Sequence, residues 1–119
     1  MSYDLNFWRQ KPDEARSPLA IYQALCAGES VEGLVELPIT EMVAAILEAF
    51  PGSTSGPNGE SGLFIEDIDG GGALMAGWSP VHLRVDCYGA TGEAMNRVID
   101  VGLRFECPLY DPQVNERFR

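Results

Sequence analysis

The chain has 119 residues, 45% of them hydrophobic, and a formal net charge of −10 from 18 acidic and eight basic residues. That length suits one domain with its own core. The charge argues against nucleic acid or an anionic membrane leaflet as a direct ligand, and it favours solubility and fast association with a basic protein.

Tyr3, Leu5 and Phe7 alternate with Asp4 and Asn6, which predicts a first strand with one face toward a core. Trp8 breaks the alternation, so its ring either covers the core edge or sits in a contact surface. Arg9 to Arg16 reads as a polar connection. Ser17-Pro18 is a helix start, a hydroxyl cap followed by proline, and Gly28 is the stop. Leu19, Tyr22 and Cys26 would line the buried stripe of that helix, widened by Ile21 and Leu25. Glu29 to Leu37 reads as a linker or short strand.

A second helix is predicted from a Thr40 cap to about Phe50, with Val43, Ile46, Leu47 and Phe50 on one face and Ile39 stapled onto Ala44. Gly52 to Gly62 is rich in Gly, Ser and Pro and reads as a surface loop. Leu63 to Ile68 and Ala73 to Trp78 form a predicted hairpin about the turn Asp69-Gly70-Gly71-Gly72. After Ser79-Pro80, the residues Val81, Leu83, Val85 and Cys87 alternate with polar neighbours, the clearest strand pattern in the chain. A third helix is predicted between Gly92 and Gly102, buried through Met95, Val98 and Ile99. A last strand would hold Leu103, Phe105 and Cys107.

This order, β, α, α, a β-meander, then α and β, predicts an α+β fold in a single domain over 1–119. Helices on one face of a mostly antiparallel sheet would bury every apolar stripe, and a ferredoxin-like variant is the nearest simple description.

The N-terminal MSYDLNFW has neither a basic n-region nor a long apolar core, so no signal peptide is expected, and no apolar run approaches the length of a membrane span. Three cysteines, Cys26, Cys87 and Cys107, cannot all pair with one another. A reducing cytoplasm and small buried thiols are the expectation.

Chemical motifs are sparse. Asp67-x-Asp69-x-Gly71 resembles the start of a calcium loop, but its twelfth position is Trp78 where a bidentate glutamate is needed. His82 is the only histidine, and no ligand spacing accompanies it, so no metal is expected. Asp86 shares its strand face but sits roughly 13 Å away along an extended strand. No dinucleotide or phosphate loop and no nucleophile elbow appears, so no cofactor and no catalytic set is expected.

The charge distribution is more informative. From Ser17 to Leu83 there is no lysine or arginine, yet the stretch carries nine carboxylates. A field of one sign invites a partner of the other. Candidate contacts are Glu29, Glu32, Glu36, Glu60, Glu66, Asp67 and Asp69. Trp8, Trp78 and Tyr88 join them, because aromatic anchors ringed by polar groups make hot spots. The leading reading is a binding module that occludes a basic partner through an acidic surface. The alternative is a small enzyme or ligand-binding protein using His82 and nearby carboxylates, and a homo-oligomeric structural protein is the third.

The opening MSYDLNFWRQ and the closing CPLYDPQVNERF resemble those of immunity proteins, small bacterial proteins encoded beside polymorphic or contact-delivered toxins. The resemblance covers about a fifth of the chain and no catalytic motif. It implies a cytoplasmic single-domain protein that binds one cognate toxin and blocks it. Many such toxins are basic nucleases or deaminases, which suits the charge here.

Overall fold

Alternation in strand β1 (Ser2–Phe7) puts Leu5 and Phe7 into the core on one face of a sheet and turns Asp4 and Asn6 to the other. The computed structural model describes residues 2–12, 16–29, 31–51, 54–57, 62–68, 72–89, 92–107, 109–111 and 116–118. Among these, β4 (Thr54–Pro57), β5 (Gly62–Ile68), β6 (Gly72–Ser79), β7 (His82–Tyr88), β8 (Leu109–Asp111) and β9 (Glu116–Phe118) join β1 in one sheet of order β4-β5-β6-β7-β1-β8-β9. Every pairing is antiparallel. A second, two-stranded sheet pairs β2 (Arg9–Gln10) with β3 (Leu34–Val35). The fold is therefore α+β, with helices α1 (Pro18–Cys26), α2 (Ile39–Ala49) and α3 (Gly92–Arg104) packed against antiparallel sheet.

The inner face carries the main core. Ile65, Leu74, Leu83 and Val85 meet Met42, Ala45 and Ile46 of α2 and Ala94, Val98 and Val101 of α3. Each fully buried Ile, Leu or Met removes enough apolar surface from water to contribute about 1.5–3 kcal/mol.

The helices do not share one face, which corrects the expectation from sequence. Ile21 of α1 packs with Trp8, Val31, Leu34 and Tyr110 in a separate cluster. Tyr110 pairs with Asn6 and alternates with the inward Leu109, so this cluster lies on the outer face. Amphipathic periodicity says that a helix has a buried side, but not which layer it joins.

The stripe on α1 is also rotated from the predicted one. Ile21 is buried, with Tyr22, Ala24 and Leu25 partly so, while Leu19 and Cys26 are exposed. Its ends follow the sequence closely. Ser17 accepts a hydrogen bond from the Ala20 amide at 3.2 Å. At the other end Gly28 (φ 76°) takes the left-handed conformation, and the amides of Gly28 and Glu29 donate to the carbonyls of Leu25 and Ala24. This is a Schellman closure, which glycine adopts without a Cβ penalty.

Four other boundaries differ. The connection after Trp8 contains β2. Helix α2 starts at Ile39, with Pro38 as its cap position and no side-chain cap bond, so Thr40 lies in the first turn. Ala44 is exposed and Ile39 packs on the main core, so the predicted staple does not form. Residues 54–57 of the expected loop form edge strand β4, where pairing with β5 outweighs the low strand propensity of Gly and Pro.

The largest difference is at Gly102, which lies inside α3 rather than ending it. The helix runs on to Arg104, in place of the predicted strand at Leu103 to Cys107, and closes with Glu106 at φ 56°. There the Cys107 amide donates to the Gly102 carbonyl at 2.8 Å. Gly102 is present for close approach, because Phe7 packs where a Cβ would be. Arg9 donates from Nη2 to the Phe105 carbonyl, placing a cation at the C-terminal end of this helix.

Candidate functional site

Strand alternation and register together assemble the outer face. Register sets Asp4 opposite Asp86 and Asn6 opposite Arg84. Arg84 then bridges two strands, donating from Nε to Asp86 Oδ1 at 2.8 Å and from Nη2 to Asp4 Oδ2 at 2.9 Å. One guanidinium thus serves two carboxylates, and the cluster keeps a net charge of −1. Burial opposes the Arg84 charge, but the hydrogen bond to Asp86 and the charges of Asp86 and Asp4 outweigh it and push its pKa up. Burial, followed by the hydrogen bond with Asp86, raises the Asp4 pKa above the ordinary carboxylate value.

Helix α1 covers this cluster from one side. Arg84 Nη1 lies 3.7 Å from Cys26 Sγ. Burial, with help from the Cys26 hydrogen bond, lifts the Tyr22 phenol to about 12. Tyr22 packs on Tyr110 at 5.4 Å between ring centroids. Beyond α1 the sheet is more open. Phe64 and Tyr88 are among the exposed large hydrophobics, and Met75, the partner of Phe64 across β5–β6, is half-buried.

A cleft of about 650 Å³ opens where α1 ends. One wall is Leu25, Cys26, Gly28, Glu29 and Val31, and the other is Gly77 to His82 with Arg84. The Leu37 amide donates to the Pro80 carbonyl at 2.8 Å, which pins the segment after β3 to the β6–β7 turn.

The sequence-predicted contacts distribute unevenly over this face. Glu29, Glu32 and Glu36 are all exposed, on the segment that runs from the Schellman turn past the cleft to the Pro80 anchor. Glu66 is exposed on β5, opposite Thr54. Tyr88 is 40% exposed on the same face as Arg84 and Asp86. Trp78 is partly buried, packs against the main core and also lines the cleft. Trp8 is corrected: it is 0% exposed, so its ring is a core element and offers no surface to a partner. Glu60, Asp69 and the side chain of Asp67 lie outside the described residues.

Sequence reasoning missed the Asp4–Arg84–Asp86 cluster, Phe64 and Cys26. Alternation put Arg84 and Asp86 on one face, but Asp4 joins them only through strand register. Among the described residues no cluster of three or more metal-ligating side chains occurs, and no helix is long and apolar enough to cross a membrane.

His82 lines the cleft, yet its Nε2 is engaged with Asn6 Oδ1 at 2.9 Å and its ring packs edge-on to Trp8. Arg84 lies between it and Asp86 along β7 and takes that carboxylate. Burial, and secondarily the Arg84 charge, lower the His82 pKa from 6.5 to about 4. The unfolded chain therefore takes up this proton first as pH falls, and stability drops between pH 6.5 and about 4. At full protonation the loss is roughly 3 kcal/mol. Urea titrations across this window are expected to show a shallower pH slope for His82→Gln than for wild type. An unchanged slope would mean that the imidazole is not held neutral by its surroundings.

No family model and no curated protein matches the chain.

Proposed function

We propose that the chain is an immunity-type binding protein that neutralises a cognate bacterial toxin in the cytoplasm by covering its active site with an acidic surface. The observation that carries this reading is the run of exposed carboxylates Glu29, Glu32 and Glu36 beside an open cleft, in a stretch without a single basic residue. Glu66, Phe64 and Tyr88 extend the same face with the mixture of apolar anchors and rim charge that interfaces use. The scaffold itself reads as a ferredoxin-like variant. Support comes from the strand order β6-β7-β1-β8, with helices between β1 and the meander and α3 between β7 and β8, so that β4, β5 and β9 are additions.

The test is to look for a large protein encoded beside this chain and to co-express its C-terminal domain with it. Growth should be rescued, and the two proteins should co-elute on size exclusion. Changing Glu29, Glu32 and Glu36 together to glutamine should weaken binding about tenfold, mainly through association rate, and reduce its salt dependence. An affinity indifferent to both the substitutions and the salt would overturn the electrostatic occlusion.

A further inference from the structure

The cleft at the end of α1 has a more specific chemistry than general acidity. We propose that it is a binding site for a cationic side chain, an arginine carried by the protein partner, with Glu29 as its charged contact and Trp78, Val31 and Val81 around its stem. The inference rests on the partner-binding reading for the donor of that arginine.

Three features set the sign of the ligand. Glu29 is exposed at the rim, held there by the Schellman closure. The C-terminal end of α1 forms the same wall, and a helix C-terminus carries partial negative charge. Its last turn has no basic residue to offset that charge, and a glutamate placed beside it adds to the negative field. Arg84, the cation in the lining, is already clamped by Asp4 and Asp86, so it is not free to receive an anion and brings a net charge of −1 with it. An incoming carboxylate or phosphate would meet Glu29 and the helix end, whereas an incoming cation is attracted by both, with the Arg84 charge offset by its two carboxylates.

The walls suit a long side chain with a charged tip. Val31 is buried, Leu25, Trp78 and Val81 are partly buried, and Gly77 contributes no side chain to the floor. Methylene stems pack on such surfaces while the charged end stays at the rim. A planar guanidinium can lie against an indole and donate two parallel hydrogen bonds to one carboxylate, which favours arginine over lysine. The cleft volume of about 650 Å³ leaves room for the side chain and its flanking backbone.

The probe is N-acetyl-arginine amide, titrated into the protein and followed by amide and indole NMR shifts. Shifts should centre on Gly77 to Arg84 and the Trp78 indole, and uncharged N-acetyl-norleucine amide should bind at least tenfold more weakly. Glu29→Gln should weaken arginine-amide binding about two- to fivefold, the range of an exposed ion pair. Glu41→Gln removes the same charge from the first turn of α2 and should leave the affinity unchanged. Equal binding of the norleucine probe, equal losses in the two variants, or shifts centred elsewhere would overturn the site. The two readings also separate. A toxin domain that binds Glu29→Gln and Trp78→Leu as tightly as wild type overturns the cleft and leaves partner binding intact. An arginine probe that behaves as stated, without a basic partner, upholds the cleft's preference and removes the toxin reading.

Discussion

Replacing Trp8 with alanine is expected to lower stability by about 3–5 kcal/mol in urea or thermal denaturation, the range for truncating a buried aromatic. Trp8 is fully enclosed and forms the centre of the outer-face cluster. Its indole lies 5.2 Å from the Tyr110 ring and 6.2 Å from His82, and its Nε1 donates to Gln10 Oε1 at 3.2 Å. Truncation therefore leaves a cavity beneath α1 and removes a donor from a polar acceptor. Trp8→Phe keeps most of the volume and should cost roughly half as much. The contrast with an interface role is sharp: a surface anchor would cost little stability and much affinity. A loss below about 1 kcal/mol would show that α1 does not close over this ring.

Gly102→Ala carries the second large effect. In an open helix interior this exchange gains about 1 kcal/mol, because alanine is the better helix former. Here the new Cβ would stand 2.5 Å from Phe7 Cδ1, nearer still to Cε1, and 3.1 Å from the Cys107 carbonyl oxygen. Phe7 is 1% exposed within the main core, so its ring has nowhere to step. The clash outweighs the propensity, and a net loss of about 2–3 kcal/mol is expected. A second substitution identifies the cause. Phe7→Leu in the Gly102→Ala background should cost less than the two single losses added together, because the leucine vacates the contested space. A stabilised Gly102→Ala protein would mean that α3 does not approach β1 this closely.

These two residues also show where sequence reasoning stops. Trp8 follows the alternation of Tyr3, Leu5 and Phe7, so its neighbourhood was legible as a core edge, but both contact and core remained open until α1 was placed over it. Gly102 reads as a helix stop because glycine ends helices more often than it lets them touch. Only the position of Phe7, distant in sequence, turns that residue into a packing requirement. The same holds on the outer face. Glu29, Glu32 and Glu36 were legible as candidates from charge alone. The cleft beside Glu29 and the clamp on Arg84 were not, since both need β1, β7 and α1 in register.

Local signals specified strands β1, β5, β6 and β7 and the two ends of α1, because period-two alternation, a hydroxyl cap and a left-handed glycine act within a few residues. The charge asymmetry was equally available, being a sum over the chain. Which face each helix covers, how edge residues 54–57 pair, and where carboxylates meet a guanidinium all depend on contacts between distant segments. Those contacts are set by packing and strand register, which no local window contains, and so the acidic stretch acquires a cleft only in the folded molecule.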